Sequence, residues 1–263
     1  MKTFKSAVLL VTAMAVAVLL PGLAHAFPTD GATYTYNGVS GSGTGVTYQG
    51  AVYGLTDTIT TSTHGQENVY LGPYKFTFGS NSDPVSNWMC FSGTSLLSSP
   101  FTALVTTNVN TVINSWYGGG ATAQDKVYMI SYLASKFQTA SAAQQGAIDE
   151  AMWEIGADYV HGTTSYTTLA AAQGALQGGN FLVNNLTNYG NTAAGYLVDA
   201  YLHGLSGPTA GVWFTLPETS GGAWDLNNQP FVTYVPEPST LLLLGSGLLG
   251  VGFGWRRRAR TSR

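Results

Sequence analysis

The sequence of 263 residues predicts an α+β protein, in which a β-sandwich or barrel-like ectodomain with an inserted helical lobe precedes one C-terminal transmembrane helix. Segments rich in Tyr, Thr, Val and Phe, interrupted by Gly, Asn and Pro, fill the first part of the chain and return near its end. Helix caps and helical periodicity fill the middle. An apolar run followed by arginines closes the chain. The order β, α, β favours a sheet-based fold with a helical insertion.

The first 26 residues are predicted to be a secretory signal peptide. A basic start precedes an apolar stretch, Ala7–Leu20, and a helix break at a Pro-Gly pair. Ala24 and Ala26 form the small-x-small pattern that signal peptidase cuts, so the mature chain is predicted to begin at Phe27. An uncleaved N-terminal anchor is the alternative.

Residues 27–234 form the predicted ectodomain. Its single cysteine, Cys90, allows no internal disulfide, so its stability has to come from packing. The tract Gly38–Gly45 is a predicted loop. Six segments have the composition of strands, and in chain order they are 32–39, 45–61, 68–79, 87–94, 211–217 and 229–235.

The middle of the ectodomain is predicted to be helical. Thr122 is a predicted N-cap, and the pattern from Ser141 to Gln144 is a capping box that opens a second helix. Weaker helices are predicted at 167–176 and 193–203. The apolar face of the first helix comprises Met129, Ile130, Leu133 and Phe137. The apolar face of the second comprises Ile148, Ala151, Met152, Ile155 and Tyr159.

The last segment, 235–263, combines three features in order. It begins with an extended stretch whose two prolines oppose a helix: Val235, Pro236, Glu237, Pro238, Ser239 and Thr240. An apolar run, Leu241–Trp255, follows and gives a predicted transmembrane span over 239–255. A basic stop on the cytoplasmic side comprises Arg256, Arg257, Arg258 and Arg260. A buried core helix is the alternative, but a core helix seldom ends in an arginine cluster.

This arrangement resembles the PEP-CTERM sorting signal. The resemblance implies processing by exosortase, a membrane protease that cuts near the Pro-Glu-Pro in Gram-negative bacteria that make exopolysaccharide. It implies export across the inner membrane, transient anchoring there, and delivery to the cell-envelope surface or the biofilm matrix. Exosortase and signal peptidase are then the processing partners, and exopolysaccharide or a surface glycan is a candidate ligand.

A second segment, GAIDEAMWEIG at Gly146–Gly156, resembles the GAIQxAIWEI-type helix of bacterial thioester domains. Those domains, found in surface adhesins, carry a cysteine on an earlier strand, and Cys90 in NWMCFSGT occupies the corresponding place. The family's chemistry joins that sulfur to a glutamine side chain. Here the glutamine position is Asp149, and a carboxylate at neutral pH is a poor electrophile. The pair of Cys90 and Asp149 is therefore predicted to be inactive, although Gln145 offers an off-register alternative.

The charges of the ectodomain limit its partners. Residues 27–234 contain three lysines, no arginine and twelve acidic residues, so their formal charge is −9. An acidic surface argues against nucleic acid as a partner. Three acids at four-residue spacing, Glu150, Glu154 and Asp158, could bind Ca²⁺ or sugar hydroxyls, but a solvated helix face is the favoured interpretation.

Other candidate chemistry in the ectodomain is weaker. Its three histidines, His64, His161 and His203, have no metal-ligand spacing, so neither a metal nor a cofactor is predicted. A Cys-His-Asp nucleophile set around Cys90 is a further alternative, but any chain with one cysteine allows such a set. The pair Trp116-Tyr117, before three glycines, is the best candidate for exposed aromatic side chains that bind a sugar.

The expected function is that of an exported, non-enzymatic surface or adhesion-type protein. Two alternatives remain open at this point. One is a covalent adhesin that works through a thioester at Cys90. The other is a polysaccharide hydrolase of the envelope, which would need two carboxyl groups facing each other across a cleft.

Overall fold

The computed structural model describes residues 32–36, 45–51, 55–78, 85–92, 101–219, 223–226 and 228–234. They form a closed barrel, a separate three-stranded sheet and a group of helices, which agrees with the predicted α+β class. The predicted signal peptide, 1–26, and the segment 235–263 lie outside the described residues. Within the described ranges, no helix is both long and apolar enough to cross a bilayer. The span predicted at 239–255 therefore stays a prediction.

Seven of the described strands close the barrel in the order β1-β2-β5-β6-β10-β9-β7. The first pair, β1 with β2, is parallel, and the other pairs are antiparallel. Closure leaves none of these seven strands with an unpaired edge. The barrel strands are β1 (Ala32–Tyr36), β2 (Gly45–Ala51), β5 (Tyr74–Phe78), β6 (Val85–Cys90), β7 (Phe101–Thr106), β9 (Val212–Glu218) and β10 (Phe231–Tyr234).

Strand β10 is the last described strand, yet it lies inside the barrel wall between β6 and β9. Phe231 is paired with Cys90 of β6 on one side and with Thr215 of β9 on the other. Tyr234 is paired with Val212. Because β10 joins two other strands, the barrel can close only when the chain is present up to Tyr234.

The second sheet has the order β4-β3-β8 and comprises β3 (Thr56–Thr61), β4 (Gly65–Tyr70) and β8 (Phe181–Val183). Its middle strand, β3, alternates between exposed and buried positions. The strand-like segment predicted at 45–61 therefore contains two strands, because β2 belongs to the barrel and β3 to this sheet. Gly54 lies between them in the sequence, and a residue without a side chain weakens strand pairing.

The helical lobe lies between β7 and β9 in the chain. Among the described residues it has four helices longer than six residues, namely α1 (Gly120–Phe137), α2 (Ala142–Asp158), α3 (Leu169–Ala175) and α4 (Asn191–His203). Shorter helical turns occupy Val109–Thr111, Val112–Trp116, Leu186–Gly190 and Gly204–Ser206. The weaker predicted helices at 167–176 and 193–203 correspond to α3 and α4.

The helix starts agree with the sequence at α2 and differ at α1. The predicted capping box is present. The Ser141 backbone N–H donates to the Gln144 side-chain oxygen at 2.9 Å, and the Gln144 backbone N–H donates to the Ser141 hydroxyl oxygen at 3.4 Å. Thr122 is not the cap of α1, which begins at Gly120, the last of three consecutive glycines with φ between 77° and 84°. The Thr122 hydroxyl instead accepts a hydrogen bond from the His161 backbone N–H at 3.1 Å.

Helix α2 is enclosed by other elements. It packs against α1 and α4 and against β6 and β8. Every residue from Gln145 to Ile155 is buried, so the predicted apolar face is confirmed but an opposite solvated face does not exist along this stretch. Glu150 is 0% exposed and Glu154 is 1% exposed. The prediction that these acids belong to a solvated face is wrong, because a helix enclosed on both sides buries its polar positions with its apolar ones.

The contact between α2 and the end of β6 depends on Gly156. A Cβ atom placed on Gly156 would overlap the Phe91 carbonyl oxygen, which follows β6 directly. The same atom would lie 3.4 Å from the Tyr117 hydroxyl oxygen. The backbones of the helix and of the strand end are therefore so close that no side chain fits at position 156.

We expect Gly156→Ala to lower the free energy of unfolding by about 2 kcal/mol, because α2 or the end of β6 has to move to accept the methyl group. Gly195→Ala in the middle of α4 is the matched control. Gly195 is exposed and its Cβ would meet nothing within 4 Å, so alanine should leave stability unchanged or raise it by about 0.5–1 kcal/mol. Urea denaturation followed by tryptophan fluorescence measures both changes. Equal midpoints for the two variants would contradict the close packing.

Candidate functional site

The residues singled out in the sequence meet where α2 packs against the end of β6. Cys90 is the last residue of β6 and Asp149 lies in the middle of α2, and both are 0% exposed. The two groups interact electrostatically, so the fold brings them into one buried region. The candidate site comprises these two residues and the neighbouring acids of α2.

The Cys90 thiol is held in an apolar environment. It donates a hydrogen bond to the Ser92 carbonyl oxygen at 3.2 Å. Burial, and next the nearby Asp149, raise the pKa of the thiol far above its ordinary value. The thiolate is the nucleophilic form of cysteine. Cys90 is therefore protonated at neutral pH, and its sulfur can attack only if the thiol proton is transferred to the leaving group in the same step.

The Asp149 carboxyl group has one partner among the described residues. Its Oδ2 accepts a hydrogen bond from the Gly72 backbone N–H at 2.6 Å, while Oδ1 has no hydrogen-bond partner in the described part of the chain. Burial raises the pKa of this carboxyl well above its ordinary range, and the Gly72 hydrogen bond opposes that rise. Asp149 is therefore an uncharged acid in a core position.

Glu150 faces a second carboxyl group, that of Asp57 on β3. The Asp57 side chain is itself buried, with 6% exposure, and its Oδ1 accepts hydrogen bonds from the Thr58 N–H at 2.7 Å and from Asn188 Nδ2 at 3.3 Å. Burial, and next the neighbouring Asp57 carboxyl group, raise the pKa of Glu150 to about 10. Both carboxyl oxygens of Glu150 and Oδ2 of Asp57 are buried without a hydrogen-bond partner in the described part of the chain.

Glu154, one turn further along α2, is held by a tyrosine. Its Oε1 accepts a hydrogen bond from the Tyr166 hydroxyl at 2.9 Å, and its Oε2 has no partner among the residues described. Burial raises the pKa of Glu154 to about 8, while Tyr166 and Lys126 oppose the rise. Lys126 does not pair with it directly, because its Nζ donates to the Gly156 carbonyl oxygen at 2.7 Å.

Asp158 at the end of α2 has a structural task. It accepts hydrogen bonds from both nitrogens of Asn180 and from the Phe181 N–H, at 2.7–3.0 Å, and so fixes the start of β8. Each acid of the stripe thus has a different neighbour. Glu150 lies beside Asp57, Glu154 binds Tyr166, and Asp158 binds the start of β8. In the described ranges, no group of three or more His, Cys, Asp or Glu side chains is arranged to hold a metal ion.

The histidines have local partners. His64 Nδ1 lies 3.0 Å from the Thr63 hydroxyl. His161 Nδ1 lies 2.6 Å from Asp125 Oδ2, and His203 Nδ1 lies 2.8 Å from Asp199 Oδ1. These are surface ion pairs or hydrogen bonds, which contribute little to stability.

The aromatic pair Trp116-Tyr117 is not an exposed platform, because both residues are half-buried. The Tyr117 ring packs against Phe91, with ring centroids 6.4 Å apart, and its hydroxyl is buried without a hydrogen-bond partner in the described residues. The prediction that this pair is the best exposed sugar-binding candidate is wrong. Three glycines with positive φ follow the pair, and α1 begins at the last of them.

The proximity of Asp57 and Glu150 could not be predicted from the sequence. The two residues lie far apart in the chain, and Asp57 occupies an ordinary inward position of a strand. Only the packing of the small sheet against the helices brings the two carboxyl groups together. A pattern in either segment alone could not have predicted the contact.

The raised pKa values make stability depend on pH. Protonated Glu150 and Glu154 contribute stability that is fully present below their unfolded pKa of 4.5 and is lost as pH rises through about 10 and about 8, respectively. Each retained proton lowers the free energy of unfolding by at most ~1.4 kcal/mol per pH unit.

We expect Glu150→Gln, which keeps a donor toward Asp57, to reduce this slope by about one proton between pH 6 and 9. Urea titrations at several pH values measure the slope.

The half-exposed Glu67 on β4 provides the control for this measurement. Glu67→Gln removes a carboxyl group from an edge strand and should leave the wild-type slope intact. An identical slope in wild type and Glu150→Gln would show that Glu150 is already ionised in the folded protein.

Comparisons with known proteins identify the C-terminal segment. The model of the PEP-CTERM protein-sorting motif matches residues 235–258. No curated protein and no solved structure matches the chain. The resemblance of α2 and Cys90 to thioester domains is not confirmed by these comparisons. The chain therefore carries a PEP-CTERM sorting motif, which implies export, processing by exosortase and a cell-surface or extracellular destination.

Proposed function

We propose that this protein is a non-enzymatic component of the cell envelope or the extracellular matrix, which acts at the surface through non-covalent contacts. The sorting motif at residues 235–258 is the observation that carries the proposal. On this proposal the apolar run anchors the chain in the inner membrane over 239–255, and the arginines that follow keep its end in the cytoplasm. Exosortase then removes the anchor, and the ectodomain leaves the membrane.

The buried site supports a role without catalysis. The groups that could act as nucleophile or acid, Cys90, Asp149 and Glu150, are all 0% exposed. A substrate could reach them only if α2 separated from the barrel. The carboxyl groups of Asp57 and Glu150 are buried neighbours and do not face each other across a cleft ~5–10 Å wide, so they favour a role in the core over a polysaccharide hydrolase.

A covalent adhesin is the second candidate, because Cys90 and Asp149 lie in one buried region. A thioester from the wild-type pair would require loss of water from an unactivated acid, and we propose that it does not form. Asp149→Gln supplies a carboxamide on a side chain longer by one methylene. The Cys90 sulfur can attack its carbon and expel ammonia.

We expect the wild-type ectodomain to have the full calculated mass and Asp149→Gln to lack the mass of one ammonia. Intact mass spectrometry measures both, and methylamine should add to the variant and not to the wild type. Asp149→Asn, which is one methylene shorter, is the control and should keep its full mass. A deficit of one water or one ammonia in the wild type would favour the covalent adhesin.

We expect deletion of residues 236–263 to release the ectodomain from the membrane without any processing step. The full chain should be found first in the inner-membrane fraction and later, shortened, at the surface. Fractionation followed by immunoblotting compares the two chains. Identical distributions would contradict the proposed sorting route.

A further inference from the structure

Strand β4 is an edge of the β4-β3-β8 sheet and is paired with β3 alone along its whole length, from Gly65 to Tyr70. Four of its six residues are exposed, and the other two, Glu67 and Val69, are half-buried. Within the described ranges, one hydrogen bond reaches the backbone of β4 from the side opposite β3, which the Tyr74 hydroxyl donates to the Tyr70 carbonyl oxygen at 2.5 Å. An unpaired edge is a template for a further strand.

The hydrogen bonds beside β4 show which of its backbone groups face the free edge. Leu71, directly after the strand, donates its N–H to the Leu55 carbonyl oxygen at 2.9 Å. In an antiparallel pair every second residue bonds to the neighbouring strand in this way. Gln66, Asn68 and Tyr70 therefore direct their backbone N–H and C=O groups away from β3, and all three residues are exposed.

We propose that two copies of this protein pair through β4, with the strands antiparallel about a two-fold axis at Asn68. The two small sheets then form one sheet of six strands. In this register the two Asn68 residues exchange both of their backbone hydrogen bonds, and each Tyr70 N–H donates to the Gln66 carbonyl oxygen of the second copy. An axis shifted by one residue would pair only two of the three outward positions.

The charge and side chains of β4 are complementary to themselves in this register. Glu67 is the one charged residue of the strand and lies on its inner face, paired with the buried Ile59. The axis at Asn68 sets Glu67 opposite Val69 of the second copy, whereas an axis at Glu67 would set two carboxylates opposite each other, which is unfavourable. On the outer face Asn68 Oδ1 accepts a hydrogen bond from the Thr58 hydroxyl at 2.7 Å, so its Nδ2 is available to the second copy.

The size of the contact sets its strength. Six residues of a strand span about 20 Å. A contact of this length is smaller than the interface of a stable dimer, which covers ~800 Å² on each partner. The pairing is therefore weak in dilute solution and is favoured where copies are concentrated, as on a cell surface. It goes beyond the proposed function, because it depends on β4 and not on removal of the anchor.

Single cysteines test the register in cells that produce the full chain. Asn68→Cys places two thiols on residues whose Cα atoms are about 5.5 Å apart in the proposed pair, a distance that a disulfide spans. Gln66→Cys is the matched control, because it lies on the same exposed face but its two copies would be about 13 Å apart along the strands. Non-reducing gel electrophoresis should show at least about fivefold more dimer for Asn68→Cys. Buried Cys90 should leave the wild type monomeric on this gel.

No dimer with Asn68→Cys, or equal amounts of dimer with the two variants, would overturn the proposal. If the variants still reach the cell surface in that case, the pairing fails while the sorting route stands.

A proline at the same position separates pairing from folding. Asn68→Pro removes an N–H that faces the free edge and places a ring there, while β4 keeps its hydrogen bonds to β3. Asn68→Thr keeps the N–H and suits a strand, so it is the control. Sedimentation velocity of protein recovered from the cell surface should show that wild type and Asn68→Thr dimerise as concentration rises. The association constant of Asn68→Pro should be at least about tenfold lower.

Circular dichroism shows whether the three proteins share one fold. A proline variant that associates like the wild type would overturn the proposal. A wild type that stays monomeric up to about 0.5 mM would exclude a second copy as the partner of this edge.

Discussion

The packing of α2 against the end of β6 is the contact on which the rest of the structure depends. Gly156 allows the helix to approach the Phe91 carbonyl, one residue beyond the strand that holds Cys90. Strand β6 is paired with β10 in the barrel, and α2 packs against β8 of the small sheet, so this contact connects the two sheets. Barrel, sheet and helices therefore share one core. A change at this crossing affects all three, whereas the exposed ends of α4 affect only local structure.

The central helix carries acids into that core, and the core stays stable only because they keep their protons. An isolated carboxylate in an apolar interior is unfavourable by several kcal/mol, whereas a protonated acid resembles an amide in polarity. Asp149, Glu150 and Glu154 are accordingly neutral or largely neutral at pH 7. The formal charge of −9 in the ectodomain therefore overstates the negative charge of the folded state.

The sequence predicted the features that are local and missed those that depend on distant packing. The capping box at Ser141 and the apolar face of α2 follow from short-range patterns, and the structure confirms them. The acidic stripe was misjudged because a helical pattern does not reveal whether a second layer covers its polar side. The pairing of Asp57 with Glu150 and the separation of β2 from β3 both arise from the β4-β3-β8 sheet. This sheet could not be predicted from one segment of the sequence, because β8 is distant in the chain from β3 and β4.

The position of β10 connects the fold to the proposed sorting route. An exported chain crosses the membrane from its N-terminus, so β10 is the last barrel strand to emerge. Until Tyr234 has crossed, β6 and β9 lack their common neighbour and the barrel remains open. On the proposed route, an anchor that follows within a few residues holds the ectodomain at the membrane while this strand inserts. Removal of the anchor after the barrel has closed then releases a folded domain, whereas earlier removal would release one with two unpaired strand edges.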